Sequence, residues 1–174
     1  MKRLLLLRHA KTEPAGAGVE DHDRKLMARG RDDAPKLGRY IREQGYAPEL
    51  ILSSTSRRTV ETVELVTDVL PGTHRIDYLE ALYLAEPDVM LSIIRLMPDK
   101  TRSVMVVGHN PGMEQLATFL AREPVKRRER DRFDQIEEKF PTAALAVLDF
   151  DVARWRDVAP GQGALKDFVR PRDL

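Results

Sequence analysis

Leu4-Leu5-Leu6-Leu7-Arg8-His9 is the stretch on which the fold turns. Four consecutive leucines lack the alternation of a half-exposed strand. Bounded by charge, they read as a short strand buried on both faces, as in a parallel sheet. Arg8 and His9 then fall at the strand's C-terminal end, the edge where open α/β sheets bind ligands. A second apolar run, Val104-Met105-Val106-Val107-Gly108, ends in His109. One histidine after a strand is ordinarily structural. Two, delivered to one edge together with an arginine, suggest a phosphate site in which one imidazole is a nucleophile.

Working outward, further strands are expected at Leu50–Leu52, Arg75–Leu79, Ala143–Phe150 and Trp155–Val158, the last two forming an antiparallel edge. Helical spacing of apolar residues lies between the strands. Leu37, Tyr40 and Ile41 mark a helix over about Arg31 to Glu43. Val63, Val66, Val69 and Leu70 mark a second, from near Arg58 to before Pro71. Val89, Met90, Ile93, Ile94 and Met97 give a third, closed by Pro98, and Leu116, Phe119 and Leu120 a fourth. Each stripe is that of an amphipathic helix lying on a core. Strand–helix alternation over residues 1–174 predicts a single-domain α/β fold with a mostly parallel sheet flanked by helices on both faces. Asn110-Pro111 reads as a helix start, with Asn as cap and Pro at the first helical position. His109 thus precedes a helix N-terminus, a favourable place for an anion. Glu13 to Asp23 reads as a loop over the site. Residues 122–139 are dense in charge and read as a solvated helix with i, i+4 pairs, a docking patch for an acidic partner being the sharper alternative.

Composition narrows the chemistry. The net charge is +1, so no global field recruits nucleic acid or an anionic membrane. There is no cysteine, which removes disulfides, thiolate metal sites and cysteine-nucleophile mechanisms. The apolar run after Met1-Lys2-Arg3 is too short for the core of a signal peptide, and no transmembrane run exists, so a cytoplasmic location is expected. His9, His22, His74 and His109 lack zinc-ligand spacing, so neither metal nor cofactor is expected. Asp149-Phe150-Asp151-Val152 follows a strand and resembles the nucleophile pair of haloacid-dehalogenase phosphatases, but Ala153 breaks the pattern and the strand comes late in the chain. Gly16-Ala17-Gly18 lacks the third glycine and the strand of a dinucleotide fingerprint. Trp155 is read as core.

Chemistry on a phosphoryl group needs positive charge around the non-bridging oxygens and an in-line nucleophile. Arg8 can hold two oxygens through its planar fork, and a neutral His9 offers a lone pair to phosphorus. The segment Ser53-Ser54-Thr55-Ser56-Arg57-Arg58-Thr59-Val60-Glu61-Thr62 places hydroxyls at a strand end and arginines at a helix start, a second anion-binding element.

Here a resemblance becomes specific. Arg8-His9-Ala10-Lys11, Asp21 to Leu26 with Arg29-Gly30, Ser54 to Thr62, Val107-Gly108-His109-Asn110-Pro111-Gly112 and Phe140-Pro141-Thr142-Ala143-Ala144 resemble, in order, the motifs of the histidine phosphatase superfamily. That superfamily includes the phosphoglycerate mutases, and the chain is most similar to its compact branch of SixA-type phosphohistidine phosphatases. The resemblance implies a phosphoglycerate mutase-like fold and hydrolysis through a covalent phosphohistidine at His9, with Arg8, Arg58 and His109 as the clamp and no metal. Fixing the segment on Ser54 and Thr62 puts the family's arginine on Arg58, with Arg57 one residue away as the alternative. Thr55 and Glu61 depart from the family's Pro and Gln, and Ala15 stands where the mutases carry Asn. Thr12 and Asn110 are candidate phosphate-binding residues, and Glu80 is the candidate general acid. The implied substrate is a phosphohistidine-bearing protein or, alternatively, a small phosphate ester. A non-catalytic phosphate-binding module is the rival of another class, although such a module has no need of His9.

Overall fold

A computed structural model describes all residues, 1–174. The leucine run lies at the centre of one six-stranded sheet: β1 (Lys2–Arg8), β2 (Leu50–Ser53), β3 (Arg75–Tyr78), β4 (Ser103–Gly108), β5 (Leu145–Phe150) and β6 (Ala164–Val169). Their spatial order is β3-β2-β4-β1-β5-β6. The first four strands of that order run parallel, and β5 pairs antiparallel with both β1 and β6. Five helices cover the sheet: α1 (Ala28–Glu43), α2 (Arg57–Thr67), α3 (Pro87–Arg95), α4 (Gly112–Leu120) and α5 (Arg127–Glu138).

Why β1 carries four leucines follows from the two cores. Leu4 and Leu6 point to the side packed by Met90, Leu116 and Ile136 of α3, α4 and α5. Leu5 and Leu7 point to the side packed by Leu37 and Ile41 of α1 and Val63 and Val66 of α2. All four are fully buried, each stabilising the fold by roughly 2 kcal/mol relative to exposure. The chain leaves β1 toward α1 on one face and leaves the neighbouring β4 toward α4 on the other. Loops that part to opposite faces open a crevice at the strand ends, the switch point where such sheets bind ligands. Register pairs Arg8 with Gly108, so His9 and His109 emerge side by side.

Three sequence expectations need correction. Trp155–Val158 is not a strand: Trp155–Asp157 is a 3-10 turn in which the buried indole N–H donates to the Thr101 carbonyl at 2.7 Å. The edge strand is Ala164–Val169, whose buried Asp167 accepts from the Tyr40 and Tyr46 hydroxyls. The charged segment does contain a helix, α5, but its ion pairs are not i, i+4. Arg122–Glu129 and Arg130–Glu123 tie the preceding loop to the helix seven residues on. Asn110 caps one residue further out than expected. The helix begins at Gly112, and the Asn110 side-chain oxygen accepts from the Glu114 N–H at 3.2 Å.

The start of α1 presses on the chain just after β1. A Cβ on Gly30 would lie 2.2 Å from the Lys11 carbonyl oxygen, a backbone atom with no side-chain freedom to move away. Gly30→Ala is therefore expected to cost about 1–3 kcal/mol through overpacking, lowering Tm by several degrees and displacing residues 11–12 with a matching loss of activity. Gly16→Ala, where a Cβ meets nothing within 4 Å, is the control. Equal melting temperatures for the two variants would show that this contact yields easily.

Candidate active site

At the C-terminal ends of β1 and β4 lies a cleft of about 250 Å³, lined by Arg8, His9, Lys11, Thr12, Arg24, Arg58, Leu84, His109, Asn110 and Thr142. The two imidazole rings stand 5.3 Å apart between centroids.

His9 is buried, and its Nδ1 lies 2.8 Å from the Ala10 carbonyl. A carbonyl only accepts, so Nδ1 carries the proton and Nε2 keeps its lone pair. The Thr12 hydroxyl donates to the same carbonyl at 3.0 Å and lies 3.3 Å from Nδ1. The Ala10 N–H donates to the Thr62 hydroxyl of α2 at 3.0 Å. Burial, reinforced by the positive field of Arg58 and Arg8 and by the neighbouring His109, pushes the His9 pKa down to about 3 against the opposing Ala10 bond. The ring is thus a neutral base throughout the physiological range.

Arg8 donates through Nη1 to the Phe140 carbonyl at 3.0 Å, and its buried Nε–H has no protein acceptor. Burial lowers its pKa. Asn110 donates to the same Phe140 carbonyl at 2.9 Å, so one backbone oxygen joins both residues to the segment before β5. There Ala143 takes a left-handed conformation, φ +58°, and its N–H reaches both the Arg8 and His9 carbonyls, at 3.1 and 3.0 Å.

Between the two candidate arginines the structure distinguishes plainly. Arg57 is exposed and pairs with Glu61 at 2.8 Å. Arg58 is 3% exposed and lines the cleft. Its Nη1 donates to the Asp21 carbonyl at 2.7 Å, and its Nη2 donates to the Asp21 carboxylate at 3.0 Å and to Nδ1 of His109 at 3.2 Å. An arginine only donates, so His109 accepts at Nδ1 and donates from Nε2 to the Ser54 hydroxyl, 2.8 Å away. Burial first, then Arg58, lowers the His109 pKa to about 3. The buried Ser54, Ser56 and Thr59 hydroxyls interlock at the start of α2, with Ser56 Oγ as the helix cap, and fix where Arg58 begins.

Two residues of this network, Asp21 and Tyr83, carry no site role in the sequence reading. The Asp21 carboxyl lies well below the usual carboxylate range, chiefly because the Tyr83 hydroxyl donates to it, with Arg24 and Arg58 adding to the effect. Tyr83 sits edge-on to His109 at 5.4 Å and under Arg58 at 5.9 Å. Asp21 falls within the loop motif already singled out, so its charge could have been paired with Arg58. Tyr83 carries no local signal, because it joins the site from the turn after β3. Glu80 is exposed at the start of the Glu80–Leu82 turn and is not among the residues lining the cleft, which include no carboxylate. Asp149 is far from this site: it pairs with Arg3 through two contacts of 2.7 and 2.8 Å at the opposite end of β1. No group of three acidic, histidine or cysteine side chains comes together as a metal cluster.

Known proteins resemble this chain in sequence and in fold. The family model of the histidine phosphatase superfamily (branch 1) matches residues 4–83. An uncharacterized protein of Mycobacterium tuberculosis is 35% identical over 166 residues, covering 95% of this chain and 100% of the relative. A protein of Agrobacterium tumefaciens, provisionally assigned as the phosphohistidine phosphatase SixA, superposes with a TM-score of 0.79 at 33% identity, covering 98% of each chain. The protein histidine phosphatase SixA solved with tungstate superposes at 0.77 over 99% of each chain, and at 22% identity it shares the fold.

Proposed function

Because the chain belongs to the histidine phosphatase superfamily and is a phosphatase similar to the SixA group, we propose that it hydrolyses phosphohistidine on a protein through a phosphohistidine of its own at His9. The observation that carries this reading is the state of His9: neutral, held at Nδ1 by Ala10, with Nε2 as a lone pair in a cleft walled by cations. Nε2 attacks phosphorus in line with the departing nitrogen. The new N–P bond forms as the substrate's N–P bond breaks, and the leaving imidazole takes up a proton. Arg8 and Arg58 hold equatorial oxygens, and His109 joins them by exchanging its Nε2–H bond to Ser54 for one to the third, while Thr12 and Asn110 keep His9 and Arg8 in place. Arg8 Nε–H is a donor that a phosphoryl oxygen can use. Water then attacks the phospho-enzyme, inorganic phosphate leaves, and His9 regains its lone pair.

The leaving group favours phosphohistidine over an alkyl ester. An alkoxide needs a proton as it departs, and a positioned acid is worth about 10² to 10⁴-fold in such steps. The cleft lining has no carboxylic acid, and Glu80 stands outside it. Imidazole is a far better leaving group and makes less demand. We therefore expect phosphohistidine and aryl phosphates to be turned over well, glycerol and sugar monophosphates poorly, and Glu80→Gln to change little. Steady-state kcat/KM on the three substrate types tests this. Efficient hydrolysis of a sugar monophosphate that collapses in Glu80→Gln would overturn it in favour of a small-ester phosphatase.

A further inference from the structure

Next to the catalytic cleft lies a second, larger cavity of about 290 Å³ with no hydrophobic residue in its wall. Five of its eleven lining residues are basic, Lys11, Arg29, Lys139, Arg170 and Arg172, against the two acids Asp33 and Glu138. The chain as a whole carries only +1, so this is a local concentration of positive charge and not the sampling of a basic protein. Two of the cations are already neutralised: Arg29 faces the buried Asp33 at 3.7 Å, and Arg170 is held by Asp173 through two contacts of 3.0 Å. Lys11, Lys139 and Arg172 belong to no ion pair, and Glu138 is the one acid left to face them. Like charges gathered in one concave site repel one another. The repulsion is relieved by an anion, and the concavity raises the local concentration of one.

The position of the cavity gives this charge its meaning. Lys11 and Thr142 line both cavities, so the two share a wall directly beside His9. The elements that meet there are the segment after β1, the first turn of α1, the end of α5 and the C-terminal turn Pro171–Asp173. We propose that this cavity is a subsite for a second anionic group carried by the phosphorylated substrate, either a carboxylate flanking a phosphohistidine on a protein or a second phosphate on a small molecule. The proposal rests on His9 being the nucleophile of the neighbouring cleft. Arg172, whose guanidinium belongs to no ion pair, presents a planar fork suited to carboxylate and phosphate oxygens alike, and Lys11 bridges the second anion and the phosphoryl group.

The test pairs probes that differ only in the second anion. The first pair is a phosphohistidine peptide flanked by Asp and Glu and the same peptide with Asn and Gln. The second is a sugar bisphosphate and its monophosphate. p-Nitrophenyl phosphate, with no second anion, is the reference. Lys139 and Arg172 line the second cavity alone, and both are exposed. In the wild type, kcat/KM should favour the doubly anionic member of at least one pair by about tenfold, the scale expected of two solvent-exposed charge contacts. Lys139→Ala/Arg172→Ala should erase the preference, mainly through KM, and leave p-nitrophenyl phosphate turnover unchanged, which also reports intact folding. Lys139→Glu/Arg172→Glu should invert it. Preference within the peptide pair identifies a protein-borne carboxylate, and preference within the sugar pair a second phosphate. Should no phosphohistidine probe be cleaved while bisphosphate still outranks monophosphate, the substrate reading falls and the subsite stands. Equal turnover within both pairs, or a preference that survives in the double alanine variant, would overturn the subsite.

Discussion

His9→Ala should abolish turnover altogether, because it removes the atom that bonds to phosphorus and leaves only the charged wall of the cleft. Rapid acid-free quenching of the wild type during turnover should trap base-stable, acid-labile phosphate on His9. Phosphate found on Asp149 or Asp151 would contradict the mechanism, although Asp149 is occupied by Arg3 at the far end of the strand. The pH dependence has a definite sign. With a folded pKa of about 3 against an ordinary value near 6.5, His9 stays neutral in the free enzyme as pH falls through the mildly acidic range. kcat/KM, corrected for substrate ionisation, should therefore stay flat from about pH 8 to pH 5, with no acid limb near 6.5. Stability behaves oppositely. The unfolded chain binds protons at His9 and His109 that the folded one refuses, so stability declines as pH drops from about 6.5 toward 3.

Arg58→Ala should lower kcat by about 10² to 10³, and Arg8→Ala and His109→Ala by similar factors, the usual effect of losing one preorganised group that stabilises developing charge. Arg57→Ala removes only an exposed pair with Glu61, of a kind typically worth about 0.3–0.5 kcal/mol, and should change activity by less than about threefold. The adjacent pair matches charge and helix position, so the comparison isolates the burial of Arg58 and its contacts with Asp21 and His109. Near-normal activity in Arg58→Ala with inactivity in Arg57→Ala would shift the clamp by one residue and overturn the cleft as described.

Where the sequence was readable, the reason was local. The leucine run is buried on both faces, so its composition alone reports a central strand, and Arg8-His9 and His109 inherit their place from strand ends. The start of α2 near Arg58 and the end of α3 before Pro98 follow from the apolar spacing and that proline. Where reading failed, the deciding contact was remote. Trp155 and Val158 are spaced by three, which puts them on one face of a 3-10 turn and on opposite faces of a strand, and what fixes Trp155 is a carbonyl 54 residues away. β6 hides behind Lys166 and Asp167, a charged pair that looks solvent-facing until the Tyr40 and Tyr46 hydroxyls reach Asp167. Asp21 and Tyr83 meet 62 residues apart over Arg58, a contact that no window along the chain contains.

The central place of β1 also has a consequence for how the protein comes into being. Its two neighbours are β4 and β5, so Leu4–Leu7 find their partners only after residue 100 and again after residue 144 has been added to the chain. Until then a growing chain carries an unpaired apolar strand, the kind of segment that invites association with other chains. Lys2, Arg3 and Arg8 bracket it with charge and act as gatekeepers during that interval. The same delay silences the enzyme while it is being made. Ala143 must arrive to bind the Arg8 and His9 carbonyls before the cleft has its final shape, so no nascent chain that stops short of β5 can turn over phosphate.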